Sequence, residues 1–184
     1  KIFQENGYQV LILDRDESAL NASAAEFSEA YPMLFDVSDP QAGDVIAKEI
    51  MDKFGRLDSL VNNAGVASFE PIEKINNETW HQVMATNLDG VFYLTQAVTP
   101  ILKQTKGAIV NISSISGLRA SALRVAYGTS KAAVMQLTKQ QAVELGEYGI
   151  RVNAVAPGPV RTKLAIAVHT QEIIDTYHDH IPLN

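Results

Sequence analysis

Short apolar runs alternate along this chain with longer stretches in which apolar residues recur at helical spacing. Residues 8–13 (YQVLIL), 31–35 (YPMLF), 57–61 (LDSLV), 108–112 (AIVNI) and 150–155 (IRVNAV) have the length and apolar content of buried strands. Between them the pattern predicts helices over residues 17–30, 41–54, 76–102 and 126–148. In the second of these, Val45, Ile46, Ile50 and Met51 recur at helical spacing; Asn76 is placed to cap the third, and Gly149 to end the fourth. Strand and helix in strict alternation imply βαβ crossovers. The expected fold is therefore α/β, a Rossmann-type doubly wound parallel sheet with helices on both faces, in a single domain spanning residues 1–184. No internal repeat, low-complexity tract or linker divides it. The opening KIFQENG reads as the last turns of a helix closed by Gly7.

The polar residues cluster where those strands end. Asp14 follows the first strand, Asp36-Val37 the second, Asn62-Asn63-Ala64-Gly65 the third, Ser113-Ser114 the fourth, and Pro157-Gly158-Pro159-Val160-Arg161-Thr162 the fifth. Any one of these could be an ordinary turn. Five strands aiming polar and glycine residues at one edge fit a ligand crevice, because open α/β sheets bind beyond the carboxyl ends of their strands.

Composition narrows the class of ligand. A formal net charge of −6 and a pI near 5.2 argue against nucleic acid or an anionic membrane as partner. No apolar run reaches the ~18 residues of a membrane span, so a soluble, cytoplasmic protein is expected. The absence of Cys excludes disulfides, thiolate catalysis and Cys-ligated zinc. His178 and His180 are two residues apart and would not share a helix face, so no metal site is expected. The sequons at Asn21, Asn77 and Asn111 read as unused, Asn111 above all because it lies in a strand-like run.

One short segment carries candidate chemistry. In Tyr127-Gly128-Thr129-Ser130-Lys131 a phenol and an ammonium are four residues apart and share a helix face. A fixed ammonium favours the phenolate over the phenol, which suits Tyr127 to acid/base work.

Taken in order, Asn62-Asn63-Ala64-Gly65, Asn87 in MATN, Ser114 in NISS, Tyr127 with Lys131, and Pro157-Gly158 followed by Thr162 resemble the short-chain dehydrogenase/reductase family from about Tyr8 to Thr162. The resemblance implies an oxidoreductase acting on CH–OH with NAD or NADP, an alcohol dehydrogenase or ketoreductase with a small-molecule alcohol or carbonyl substrate. It places the catalytic set on Asn87, Ser114, Tyr127 and Lys131. Tyr127 would exchange the proton with the substrate oxygen, Ser114 would hydrogen-bond that oxygen, Lys131 would hold the nicotinamide ribose, and Asn87 would position a water leading from Lys131 to solvent. Ser113 would be structural.

For the cofactor, the carboxylate of Asp14 would accept hydrogen bonds from the adenosine ribose and repel a 2'-phosphate, which favours NAD; Arg15 beside it leaves NADP as the alternative. By resemblance, Asp36 and Val37 would bracket the adenine, Asn63, Ala64 and Gly65 would run past the adenosine, and Pro157, Gly158, Val160 and Thr162 would follow the nicotinamide. Residues 163–184 would form a substrate-covering lid. The family's glycine-rich phosphate loop and first strand would precede Lys1, and a further helix and strand would follow Asn184. Family members assemble as homotetramers or dimers through the two long helices. Two other readings stay open: reduction of a carrier-bound 3-oxoacyl group, supported if Arg119, Arg124 and Arg161 form a docking patch, and a regulatory protein that binds the dinucleotide without turnover.

Overall fold

The computed structural model describes residues 2–27, 30–160 and 175. Thr162 and the predicted lid, apart from Asp175, lie outside the described residues. The expected alternation is present. It runs α1 (Ile2–Glu5), β1 (Val10–Asp14), α2 (Glu17–Glu26), β2 (Ala30–Leu34), α3 (Ala42–Phe54), β3 (Ser59–Asn62), α4 (Asn77–Met84), α5 (Gly90–Thr105), β4 (Ala108–Ile112), α6 (Val125–Gly146) and β5 (Arg151–Val155).

Every strand pair is parallel, but the sheet is in two parts. β1 pairs with β2 from Val10 opposite Ala30 to Asp14 opposite Leu34. β4 lies between β3 and β5, with Ser59 opposite Ala108 and Ala108 opposite Arg151. Among the described residues β1 and β3 each have one strand neighbour. Both line a single cavity of about 2140 Å³, β1 through Val10, Leu11 and Leu13, β3 through Ser59, Leu60 and Val61.

The core explains the apolar spacing read from the sequence. Ile46 and Ile50 of α3 pack with Leu94, Val98 and Leu102 of α5 and with Ile109 of β4, all buried. The two helices approach closely at Gly43, where a Cβ would come within 2.8 Å of both the Tyr93 carbonyl oxygen and the Ala97 Cβ. Of the residues expected on that stripe, Val45 and Met51 are instead exposed, at 45% and 40%. α2 covers β1 and β2, and α6 covers β4 and β5.

The helix expected over 76–102 is interrupted. Asn76 caps it as predicted, its side chain accepting from the Thr79 N–H at 2.7 Å. Residues Ala85–Asp89 then form a π-turn before α5 begins. The side chain of Asn87, fully buried at the centre of that turn, is hydrogen-bonded across to another segment rather than to its own helix. Such single-turn π-bulges concentrate at functional sites.

Candidate active site

The carboxyl ends of the strands converge on the cavity. Asp14 ends β1, and its Oδ1 accepts from the Asp16 N–H at 2.9 Å in a tight local turn. Asp36 follows β2, and its Oδ1 accepts from the Ser38 N–H at 2.9 Å and the Ser38 hydroxyl at 2.8 Å. Its Oδ2 takes the Arg15 guanidinium at 3.3 Å. Partial burial opposes ionisation of Asp36, but the Ser38 hydrogen bonds and Arg15 outweigh it and hold the carboxyl below its usual range. Arg15 is thus drawn towards Asp36 across the mouth of the β1–β2 edge. Asp14, Asp36 and Val37 line the cavity, as do Asn63, Ala64 and Gly65 beyond β3.

The opposite wall is built from β4, the turn after it, and α6. Ser114 begins a short 3₁₀ turn over Ile115–Gly117, its Oγ accepting from the Ser116 N–H at 3.2 Å. Ser113, beside it, donates its hydroxyl to the Lys131 carbonyl at 2.7 Å and so ties β4 to α6. The turn presses hard on the helix. A Cβ at Gly117 would fall 2.7 Å from the Ala132 backbone nitrogen, closer than real Cβ atoms come. Ser114, Tyr127 and Lys131 share the cavity wall with Pro157, Gly158 and Val160.

Lys131 is the electrostatic centre of the site. It is 4% exposed, its Nζ donates to the Ile112 carbonyl at 2.7 Å, and it lies 5.9 Å from the Tyr127 ring centroid. Burial disfavours its charged form and brings its pKa down to about 8. An ammonium has three protons to donate, and one goes to Ile112. Two remain for a ligand in a buried position. The backbone at Gly65 passes over this group, since a Cβ there would stand 3.4 Å from Nζ and 3.3 Å from Asn87 Oδ1. Glycine leaves that space open.

Asn87 acts from behind the wall. Its Oδ1 accepts from the Val66 N–H at 2.8 Å, while Nδ2 donates to the Val66 carbonyl at 2.9 Å and to Ser130 Oγ at 3.0 Å. Ser130, fully buried, passes its own proton to the Tyr127 carbonyl at 2.7 Å. A chain of hydrogen bonds therefore links the loop after β3 through Asn87 and Ser130 to the backbone of Tyr127. Both amide protons of Asn87 are used within the protein, so its side chain has none left for a water.

Several residues that sequence reasoning passed over help shape the site. Ser130 gave no signal beyond lying inside the Tyr127–Lys131 spacing. Phe69, in the loop after β3, packs a tilted ring 6.4 Å from that of Tyr127. Asn111, read only as part of a motif and an unused sequon, is fully buried and joins three elements. It accepts from Asn62 at 2.8 Å and donates to Thr138 at 2.9 Å and Gln141 at 3.0 Å. No glycan fits there.

The donor set suits a nicotinamide dinucleotide. A buried cation with two unused protons can take vicinal ribose hydroxyls, glycine at 65 admits close approach of a ligand to the backbone, and exposed Asp14 offers acceptors at the far end. Solved relatives bind both forms of that cofactor. The fold superposes with a TM-score of 0.87 on a gluconate 5-dehydrogenase from Burkholderia cenocepacia J2315 in complex with NADP and tartrate, at 32% identity over 95% of this chain and 71% of that one. NAD⁺-bound xylitol dehydrogenase matches with a TM-score of 0.81 and 31% identity over 91% and 70%. Among curated relatives, a 3-oxoacyl-(acyl-carrier-protein) reductase from Thermotoga maritima is 36% identical over 168 residues, 89% of this chain. The chain spans 62% to 75% of the length of these and similar relatives. A family model described as short chain dehydrogenase matches residues 1–173. With that match and the convergence of Ser114, Tyr127 and Lys131 on one wall, the chain belongs to the short-chain dehydrogenase family of oxidoreductases.

Proposed function

We propose that this protein interconverts an alcohol and a ketone or aldehyde, with NAD(H) as redox partner and Tyr127 as the proton-exchanging group. The observation that carries the reading is Lys131, a buried amine with two unused protons set beside Tyr127 on the cavity wall. A bound nicotinamide supplies or accepts the hydride at the substrate carbon. Tyr127 gives its proton to the carbonyl oxygen in reduction and takes it from the hydroxyl in oxidation. Ser114 Oγ donates to the same oxygen and stabilises the charge that develops there. Lys131 holds the ribose and favours tyrosinate, and Asn87 with Ser130 fixes the backbone from which Tyr127 projects. Pro157, Gly158 and Val160 complete the wall along the nicotinamide, and Thr162 extends that segment by sequence.

NAD(H) is favoured because the Arg15 guanidinium is engaged with Asp36 while Asp14 stands exposed at the end of β1. A 2'-phosphate would meet that carboxylate. Tyr127→Phe should lower kcat by at least about 100-fold, the lower end of what positioned acid/base groups contribute. NADH binding, followed by fluorescence, should be retained. Full activity in the variant would remove Tyr127 from its role, and a higher kcat/KM with NADPH than with NADH would reverse the cofactor assignment.

A second reading is favoured by the Thermotoga maritima relative: reduction of a 3-oxoacyl group held by an acyl carrier protein. The two separate by assay. A rate with a carrier-bound 3-oxoacyl substrate far above that with the free ketone supports the second. Assembly into a homotetramer or dimer is part of the proposal, supported by exposed apolar residues on the long helices, Phe92 on α5 and Val143 on α6; sedimentation as a monomer would contradict it.

A further inference from the structure

The three segments that frame the Tyr127 end of the cavity share a composition. Residues 66–69 after β3, 114–124 after β4 and 157–160 after β5 contain no Asp, Glu, Asn, Gln or His. Carboxylates, amides and imidazoles are the side chains that best pair neighbouring hydroxyls, and a hydroxyl buried without a partner is costly. The acids lining the cavity, Asp14, Asp36 and Asp58, come from elsewhere, beside β1, β2 and β3. Beyond Ser114, the polar side chains that the three segments bring to the cavity are Ser116, Ser121, Arg119 and Arg124, two hydroxyls and two groups that only donate. Val66, Phe69, Ile115, Ala122 and Val160 line it beside them.

Two of these apolar residues are fixed next to the groups assigned to the reacting oxygen. Ile115 directly follows Ser114, and its backbone is fully used: its N–H donates to the Pro157 carbonyl at 2.9 Å, and its carbonyl accepts from the Leu118 and Arg119 N–H groups, each at 2.9 Å. The turn that carries it presses on α6 at Gly117. Its side chain is nevertheless 39% exposed on the cavity wall. An aliphatic group left exposed on a rigid turn adds little to folding, and it gains only when a ligand covers it. Phe69 sets its ring 6.4 Å from that of Tyr127, and the Arg124 guanidinium carbon lies 4.7 Å from the Phe69 centroid, so ring and cation contacts hold it in place. With the oxygen held by Ser114 and Tyr127, a substituent on the carbon that bears it extends to the side chains beside those two, Ile115 and Phe69.

Resting on the oxidoreductase reading above, we propose that the carbon oxidised or reduced by this protein carries an apolar substituent, alkyl or aryl, rather than a hydroxylated chain, and that Phe69 and Ile115 are the specificity-determining residues that receive it. A polyol entering the same place would exchange water for apolar walls and lose its hydrogen bonds.

The test uses the full chain with NADH and three ketones: ethyl methyl ketone, butyl methyl ketone, and erythrulose, a trihydroxy ketone of similar size. Each added methylene that is buried should raise kcat/KM about fourfold, so butyl methyl ketone should exceed ethyl methyl ketone by about tenfold or more, and erythrulose by at least as much. The ratio of kcat/KM for the butyl over the ethyl compound should fall at least about fivefold in Ile115→Thr and in Phe69→Ala, a change in chain-length preference that a merely structural role would not produce. Should Phe69→Ala lose NADH binding, the ratio in Ile115→Thr decides in its place. A flat alkyl series, a ratio unchanged by the variants, or erythrulose turned over as well as butyl methyl ketone overturns the proposal. Should the protein bind NADH but reduce no ketone, the oxidoreductase reading fails. Titration of unreactive alkanamides and of gluconamide against the NADH complex then decides the apolar subsite: affinity that rises with alkyl length and is lost in Ile115→Thr supports it, and equal or tighter binding of gluconamide rejects it.

Discussion

Replacing Lys131 with Met isolates the energetic cost of the buried amine. In the folded chain Lys131 is 4% exposed, its ammonium has one hydrogen bond, and burial lowers its pKa from the ordinary 10.5 to about 8. That difference corresponds to about 3 kcal/mol of disfavoured charge at neutral pH. The sign follows from proton binding. Between about pH 8 and pH 10.5 the unfolded chain keeps a proton on this residue that the folded chain has released, so stability rises with pH across that window. Below it both states are protonated and the penalty is full; above it both are neutral and the penalty is gone.

Met has similar length and no charge, so the variant lacks this pH-dependent term. Its loss of the bond to the Ile112 carbonyl is, to first order, the same at every pH. Urea unfolding of both proteins should therefore give a stability difference, variant minus wild type, that is more positive at pH ~7 than at pH ~10 by about 2.5 kcal/mol. Groups remote from Lys131 contribute equally to both proteins and cancel in the difference. A difference flat to within about 0.5 kcal/mol over that range would show that Lys131 is not desolvated, and the electrostatic account of the site would fall with it.

Two further substitutions test the supports of the site. Asn87→Leu should lower unfolding free energy by about 2–4 kcal/mol, because it removes the partners of the part-buried Val66 N–H and carbonyl and the amide that donates to Ser130 Oγ together; an unchanged denaturation midpoint would contradict the bracing role. Gly117→Ala places a Cβ 2.7 Å from the Ala132 backbone nitrogen and the Lys131 carbonyl carbon, so thermal unfolding should occur with a loss of about 1–3 kcal/mol, whereas a neutral result would mean that the turn stands further from α6 than described.

Much of the fold was legible because it depends on short-range patterning. All five strands and the helices between them follow from apolar period, and Asn76 and Gly149 mark ends that the backbone respects, Gly149 with a φ of 78°. Boundaries moved in two places, in the second for a tertiary reason. The helix at 17–30 stops at Glu26, and the one at 76–102 breaks where Asn87 reaches across to Val66, a contact 21 residues away that no helical pattern records. Tyr127, Lys131 and Ser114 were identifiable by type and spacing. Phe69, Ser130 and Arg124 were not recognisable as neighbours of the phenol in the same way, since a ring stack and a buried hydroxyl relay depend on how the loop after β3 folds over α6.

The places where local rules are broken converge on one region, and that convergence bears on function more strongly than any single residue. A helix gives up its regular hydrogen bonds around Asn87, a leucine adopts a positive φ at position 123, and at Lys131 an amine is buried with no acid paired to it among the described residues. Each is unfavourable for folding alone, and each is held by the next: Asn87 grips Ser130, Ser130 grips the Tyr127 carbonyl, and Leu123 leads into the arginine stacked on Phe69, which packs on Tyr127. A sequence selected only for stability would replace Lys131 with an apolar residue and Leu123 with glycine. Sites where a chain departs from its own local preferences are the ones where function outweighs folding. Here those departures surround a single phenol, which is why Tyr127, rather than any other group on the cavity wall, is assigned the proton.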